Sequence, residues 1–271
     1  MKTLALYYYR LVKRSSQWEY FNQIKNNKTP YRKVVSDKLT NLLKYASKNV
    51  PFYQEFFKEK HLNEELIESN PFEVLSKLPI ITKQMLNDES EKFQSAEKRI
   101  GIYENFTGGS TGIPLRVLQD REYSDWSGAV GYLFLDWAGW SLHDRILKIW
   151  GSARDVLGQG KGLKRKLSTW LFDIKILDAF KISSENIDRY IKEIEQYKPA
   201  ILECYVDAAY AIASEILRRG IELKHKPKGI IVSAGTLYPE FEKVIVKAFN
   251  APVFNRYGSR EAGDIASSCP Y

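Results

Sequence analysis

Ala200-Ile201-Leu202-Glu203-Cys204-Tyr205, Gly229-Ile230-Ile231-Val232-Ser233 and Pro252-Val253-Phe254-Asn255 are the three runs whose reading decides the fold. Each is short, apolar and rich in β-branched or aromatic residues, and each is bounded by turn formers, so each reads as a strand. Between them, Asp207–Arg219 reads as a helix closed by Gly220, and Pro239–Phe249 as a helix opened by its proline. Upstream, Ser184 is expected to cap a helix carrying Ile187, Tyr190, Ile191, Ile194 and Tyr197, which Pro199 stops. Strand and helix in alternation with short joints imply parallel crossovers in a sheet covered by helices, an α/β fold. Ser233-Ala234-Gly235 and Tyr257-Gly258 then fall just past the carboxyl ends of strands, where open α/β sheets bind nucleotides.

Working outward, Arg145–Gly151 reads as a further strand, and Arg121–Trp140 as a helix with Trp126, Val130, Leu133, Phe134 and Trp137 in the core. Before it lies Asn105-Phe106-Thr107-Gly108-Gly109-Ser110-Thr111-Gly112-Ile113-Pro114, between the β-prone Ile100–Tyr103 and Leu115–Leu118. Glycines allow positive φ and bring bare N–H groups close to a ligand, and hydroxyls add donors, a make-up suited to a phosphate cradle. No Lys-Ser/Thr follows the glycines, so this is not a Walker loop, nor is it G-x-G-x-x-G. A Gly-rich hairpin is the plain alternative, although a two-residue turn would serve that purpose better.

Thr107–Pro114 resembles the T/S-S/G-G-T/S-T-G-x-P phosphate loop of the adenylate-forming superfamily of acyl-CoA synthetases and ligases. Asn255-Arg256-Tyr257-Gly258-Ser259-Arg260-Glu261 resembles that superfamily's N-x-Y-G-x-T-E motif, and Ser233-Ala234-Gly235 stands where it carries an adenine-contacting segment. The spelling Y-G-S-R-E, and Leu78-Pro79-Ile80-Ile81-Thr82-Lys83 ahead of the loop, are similar to the phenylacetate–CoA ligase-like branch linked to capsular polysaccharide biosynthesis. The resemblance runs from about Tyr103 to Tyr271. It divides the chain into a helical region, 1–100, and an α/β nucleotide-binding region, 101–271, that is the N-terminal domain of such a ligase.

The resemblance implies attack of a carboxylate on the α-phosphate of ATP, giving an acyl-adenylate and pyrophosphate. Thr107, Gly108, Gly109, Ser110, Thr111 and Gly112 would cradle the β- and γ-phosphates. Tyr257, beside Gly258 and Ser259, would stack on adenine, with Asn255, Ser233, Ala234 and Gly235 around its edge. Arg260 would pair with the α-phosphate and Glu261 would hold Mg²⁺, with CoA a further candidate ligand. Two departures stand out: Gly235 replaces a usual Glu, and Arg260 replaces a usual Thr. The family's ribose-binding Asp, hinge and C-terminal catalytic Lys would follow Tyr271, so the chain reads as truncated before the small C-terminal domain. It is then expected to bind ATP–Mg²⁺ weakly without releasing pyrophosphate. A nucleotide-binding or assembly module without catalysis is the second reading.

The chain has 271 residues, 44% of them hydrophobic and 13% aromatic, the composition of a folded protein of one or two domains. Its formal charge of +8 permits a polyanionic partner, but the charges are scattered, and only Lys161–Lys166 forms a dense run, read as an exposed loop. No clustered basic helix or aromatic RNA-binding motif supports a specific nucleic-acid partner. Cys204 and Cys269 make no C-x-x-C or disulfide framework, and Cys204 reads as a buried free thiol; the resemblance implies a zinc site of which Cys269 would be the first ligand and the others would follow Tyr271, so no metal site is assembled from these residues. His61, His143 and His225 show no catalytic or metal spacing. Met1–Arg10 lacks a cleavage site and no run approaches 18 apolar residues, so no membrane span is expected and a cytoplasmic location is. Tyr31–Ala46, with Val35, Leu39, Leu42 and Ala46 at 4-3-4 spacing and Leu43 beside them, is the expected helix of the N-terminal region.

Overall fold

The computed structural model describes residues 15–107, 114–151 and 172–270. Contacts gather these residues into two compact units, one made of those up to Ile24 together with those from Trp126 onward, the other of Lys25–Asp125.

In the Lys25–Asp125 unit, α2 (Tyr31–Asn49), α3 (Pro51–Glu59), α4 (Glu64–Ser69) and α5 (Pro71–Lys77) enclose Leu43, Phe57, Leu62, Ile67 and Val74; α1 (Gln17–Lys25) precedes them. Pro51 ends α2 and opens α3 at its first turn, the position where a missing N–H costs nothing. The expected face of α2 is turned by one residue: Leu43 is 3% exposed and Leu42 62%. The α6 helix (Lys83–Asp88) is capped by Thr82, whose Oγ1 accepts from Met85 N at 3.2 Å, as its sequence suggests. Two antiparallel strands, β1 (Tyr103–Phe106) and β2 (Arg116–Gln119), complete this unit.

The helix α7 (Arg121–Trp137) leads into the second unit, whose sheet has the order β4-β3-β5-β6-β7-β8. Its strands are β3 (Ile146–Trp150), β4 (Ile174–Asp178), β5 (Ile201–Tyr205), β6 (Gly229–Ser233), β7 (Val253–Ser259) and β8 (Gly263–Ser267). The first five run parallel, linked through α8 (Ile187–Tyr197), α9 (Val206–Arg218) and α10 (Pro239–Phe249). β8 is antiparallel, an edge strand that the sequence reading did not contain. Leu147, Ile149, Leu202, Cys204, Ile230 and Val232 face α8, α9 and α10, while Ile146, Ile201, Ile231 and Phe254 face Leu135, Ala138 and Trp140 on and after α7. Alternate residues on both faces are apolar because helices cover both.

Two local expectations need correction. α8 is capped at Asn186 rather than Ser184; the Asn186 side chain holds the preceding turn, accepting from Ser183 N and donating to the Lys181 carbonyl. Of the five aromatic and aliphatic residues expected in the core of α7, only Phe134 is fully buried, and Ala129 and Leu135 are buried beside it.

Candidate functional site

The sheet presents its carboxyl edge through two segments of different build. β6 ends at Ser233, and Ala234 follows in the left-handed region at φ 59°. That residue turns the chain away from the strand, and Tyr238 and Pro239 then start α10. A Cβ on Gly235 would sit 3.2 Å from Val206 Cβ at the start of α9, a tight approach.

β7 runs parallel to β6 only as far as Asn255; from Arg256 to Ser259 it pairs with β8, with a register shift at Tyr257/Gly258. Tyr257 and Gly258 therefore lie within a strand rather than just beyond one, because the antiparallel partner extends β7. A Cβ on Gly258 would meet the Gly263 carbonyl oxygen at 2.6 Å, so only glycine lets the two strands close here. Tyr257 is 66% exposed, an aromatic face free of the core. Arg260 and Glu261 form the hairpin turn, where Ser259 Oγ accepts from Ala262 N at 3.1 Å and keeps its own O–H to donate. Asn255 exchanges backbone bonds with Ser268, giving its N–H to Ser268 Oγ and its carbonyl to Ser268 N, both at 2.9 Å.

Ser233, Ala234, Gly235, Asn255, Tyr257, Gly258, Ser259, Arg260 and Glu261 thus share one unit and neighbouring strands β6, β7 and β8. Thr107 belongs to the other unit and closes the β1–β2 hairpin: its N–H donates to the Leu115 carbonyl at 3.0 Å, and its Oγ1 accepts from Leu115 N at 2.9 Å. Gly108, Gly109, Ser110, Thr111 and Gly112 lie outside the described residues, as do Lys161–Lys166 and Met1–Arg10.

The sequence reading missed a second feature of this unit. Lys148 on β3 and Glu203 on β5 stand opposite each other in register and pair at 2.6 Å between Nζ and Oε2. Arg256, two residues beyond Phe254 and so on the same face, lies 4.0 Å from Glu203 Oε1 and 3.6 Å from Asp264 Oδ1 on β8. The Arg256 guanidinium also sits 4.9 Å above the Trp150 ring. Burial alone would raise the Glu203 carboxyl, but the charges of Lys148 and Arg256 outweigh it and hold it below its usual range. Burial raises Asp264, which Arg256 only partly offsets. The signal in the sequence was a lone charge inside each apolar strand, Lys148 in Ile146–Trp150 and Glu203 in Ile201–Tyr205.

This quartet lines a cavity of about 400 Å³ together with Gln17, Trp18, Tyr132, Leu135, Trp140 and Phe172. Gly128 and Gly131, one turn apart on α7, form part of its wall. A mid-helix glycine costs about 1 kcal/mol relative to alanine; a Cβ at Gly128 would meet the Gln17 side chain at 2.5 Å, whereas at Gly131 the nearest atom is Asp264 Oδ2 at 3.7 Å.

The remaining candidates resolve simply. Cys204 is buried, and burial, reinforced by the adjacent Glu203 charge, pushes its thiol well up; Cys269 is exposed. His225 Nε2 shares a 2.7 Å hydrogen bond with the Pro199 carbonyl, a structural tie. Among the described residues no cluster of three metal-ligating side chains occurs, and no helix is long and apolar enough to cross a membrane.

Solved ligases share this fold. The open form of 2-hydroxyisobutyryl-CoA ligase, in complex with 2-HIB-AMP and CoA, superposes with a TM-score of 0.59 at 14% identity, over 89% of this chain and 60% of that one. The same enzyme in its postadenylation state, in complex with R3-HIB-AMP, gives 0.61 at 16% identity, over 87% and 50%. The chain has the fold of the adenylate-forming ligases. In sequence it is similar to Protein CapK of Staphylococcus aureus, 30% identical over 220 residues, 80% of this chain and 47% of that protein. No protein-family model matches it. The chain spans about half the length of these relatives. Within the adenylate-forming fold, the described motif residues all stand at the carboxyl edge of the sheet or at the mouth of the β1–β2 hairpin.

Proposed function

We propose that this chain contributes the nucleotide-binding part of an ATP-dependent ligase that activates a carboxylic acid as its acyl-adenylate. The observation that carries the reading is the convergence of Ser233–Gly235 and Asn255–Glu261 on one edge of one sheet, at the end where open α/β folds bind ligands. In the reaction an acid oxygen bonds to the α-phosphorus as the bond to the β-phosphate bridging oxygen breaks, and pyrophosphate leaves. The chain's task is positioning and charge stabilisation. Tyr257 offers its exposed ring to adenine, with Asn255, Ser233, Ala234, Gly235 and Ser259 around it. Arg260, at the hairpin tip, pairs with the phosphate charge, and Thr107 with Gly108–Gly112 cradles the outer phosphates.

Glu261 is exposed in the turn, and among the described residues it has no ion-pair partner. One uncommitted carboxylate fits Mg²⁺ that arrives with a nucleotide, since such an ion is held chiefly by phosphate oxygens and water. The ion would neutralise phosphate charge during transfer. A phenylacetate–CoA ligase-like specificity, CoA as acceptor, a role in capsule biosynthesis and a cytoplasmic setting complete the proposal. The specificity rests on the motif spelling and the capsule role on the similarity to Protein CapK.

Limited trypsin digestion tests the cradle. Arg116 flanks the loop, in β2, and pairs with Glu104 at 2.6 Å across the hairpin. ATP–Mg²⁺ is expected to protect the Arg116 bond, and Gly109→Val to abolish that protection, because a β-branched residue resists positive φ and blocks close approach. Equal cleavage with and without ATP in the unsubstituted chain counts against the assignment.

A further inference from the structure

Arg256 stands inside the Asn255–Glu261 run, yet none of the nucleotide contacts falls to it. It is the residue at which β7 changes partner: Asn255 is the last residue paired with β6, and Arg256 the first paired with β8. From there the β7–β8 hairpin that carries Tyr257, Arg260 and Glu261 continues past the parallel sheet, with a register shift at Tyr257/Gly258. Backbone pairing alone fixes the direction of such a hairpin poorly, because an edge strand bonds on one side only.

The Arg256 side chain, 12% exposed, supplies the missing hold. The sheet order puts β6 between β7 and β5, so the guanidinium crosses over β6 to come within 4.0 Å of Glu203 Oε1. It lies 4.9 Å above the Trp150 ring on β3, and its Nε is 3.6 Å from Asp264 Oδ1 on β8. One side chain thus ties the hairpin to two strands of the parallel sheet and braces its own second strand. Glu203 has Lys148 at 2.6 Å and does not depend on Arg256 for charge balance. Buried ion pairs add little to folding beyond what well-packed apolar residues give, and their best-attested use is to fix one arrangement. Phe254, the preceding β7 residue on the same face, shows that this face accepts an apolar side chain. Arg256 and Tyr257 are consecutive, so they point to opposite faces, and a clamp on one sets the direction of the ring on the other.

We propose that Arg256 is a positioning residue of the nucleotide site. Clamped by Glu203, Asp264 and Trp150, it holds β7 so that the Tyr257 ring stands ready at the sheet edge, and it does not itself touch the ligand. The proposal rests on the ligase reading and adds a residue to that same site. A residue that acts through Tyr257 cannot cost more than the ring itself, whose stacking is worth about 5- to 150-fold in affinity. Its effect must also vanish once the ring is gone.

The test is a double-substitution cycle on ATP–Mg²⁺ affinity, read by calorimetry beside thermal melts. Arg256→Met, similar in length but uncharged, is expected to weaken binding about tenfold in the otherwise unsubstituted chain and less than about twofold beside Tyr257→Ala. Arg256→Lys keeps the charge but not the planar fork that pairs and stacks, and should bring binding back to within about threefold. Trp150→Leu leaves all four charges in place and should weaken binding about threefold, the scale of a cation–π contact. It decides the matter if Arg256→Met fails to fold. Unchanged affinity in either single variant overturns the proposal, and so does an equal loss with and without the Tyr257 ring, the mark of a direct phosphate contact. The two levels separate cleanly. Full ATP affinity in Arg256→Met defeats the positioning role alone, whereas a folded, unsubstituted chain that binds no ATP–Mg²⁺ defeats the ligase reading and this role with it.

Discussion

Tyr257→Ala isolates the contribution of one exposed ring. The side chain is 66% exposed on a strand whose backbone pairs with Ala266, so its removal opens no core cavity. The loss to folding should stay within about 1 kcal/mol, the spread of strand propensities. Stacking of an aromatic side chain on a nucleobase contributes about 1–3 kcal/mol by alanine substitution. That range corresponds to a rise of about 5- to 150-fold in the ATP dissociation constant. Tyr257→Phe keeps the ring and should remain within about threefold of the unsubstituted chain. Isothermal titration with ATP–Mg²⁺, beside thermal melts of all three proteins, reads both quantities. An alanine variant that melts normally and binds ATP with unchanged affinity would refute the stacking role, and with it the use of β7 as an adenine platform.

Three further outcomes follow from the packing. Gly258→Ala places a methyl 2.6 Å from the Gly263 carbonyl oxygen, and should destabilise the β7–β8 hairpin by about 1–3 kcal/mol; an unchanged melting temperature contradicts that geometry. Asp120 accepts from Tyr123 N at 2.7 Å at the start of α7 and pairs with Arg99 at 2.9 Å; burial opposes its ionisation, but these two partners prevail and hold its carboxyl below the usual range. Its depressed folded value means that the stabilisation is present above the unfolded value of about 4 and is lost as pH falls through the folded one. Asp120→Ala should therefore cost about 1–2 kcal/mol at pH 7, and the gap in urea midpoints should narrow below pH 4; a gap independent of pH refutes the linkage. Of the two cysteines, only exposed Cys269 should react with a thiol reagent in the native chain, with Cys204 following after unfolding; two fast equivalents would show that the β5 core is open.

What the sequence disclosed and what it hid follow from range. The β6 and α10 boundaries match their expected residues because periodicity, Gly229 and Pro239 mark them locally. β8 is not legible because Gly263–Ser267 is short and only partly apolar, and its pairing depends on a turn that begins inside the Asn255–Glu261 motif. Leu42 and Leu43 are adjacent, and spacing alone cannot say which one faces α3, α4 and α5; the packing selects Leu43. Asn186 rather than Ser184 stands at the start of α8, with its side chain tied to Ser183 N and the Lys181 carbonyl. The charged quartet was the hardest to see. Its members lie on β3, β5, β7 and β8, and only the sheet order brings Lys148, Glu203, Arg256 and Asp264 together. The motif residues of the sheet edge needed no such assembly, since each run is contiguous in the chain.

The central claim is that the sheet edge recognises an acyl-adenylate. An acyl-sulfamoyl adenosine, in which a sulfamate replaces the reactive phosphate, carries adenine, the phosphate-like link and the acyl group in one molecule. Binding energies of the joined parts combine in such a ligand. The phenylacetyl compound should bind the chain in a 1:1 complex, at least about tenfold tighter than AMP, and ATP–Mg²⁺ should displace it. An affinity no better than that of AMP, or no saturable binding by a chain whose melt shows it folded, would contradict the account.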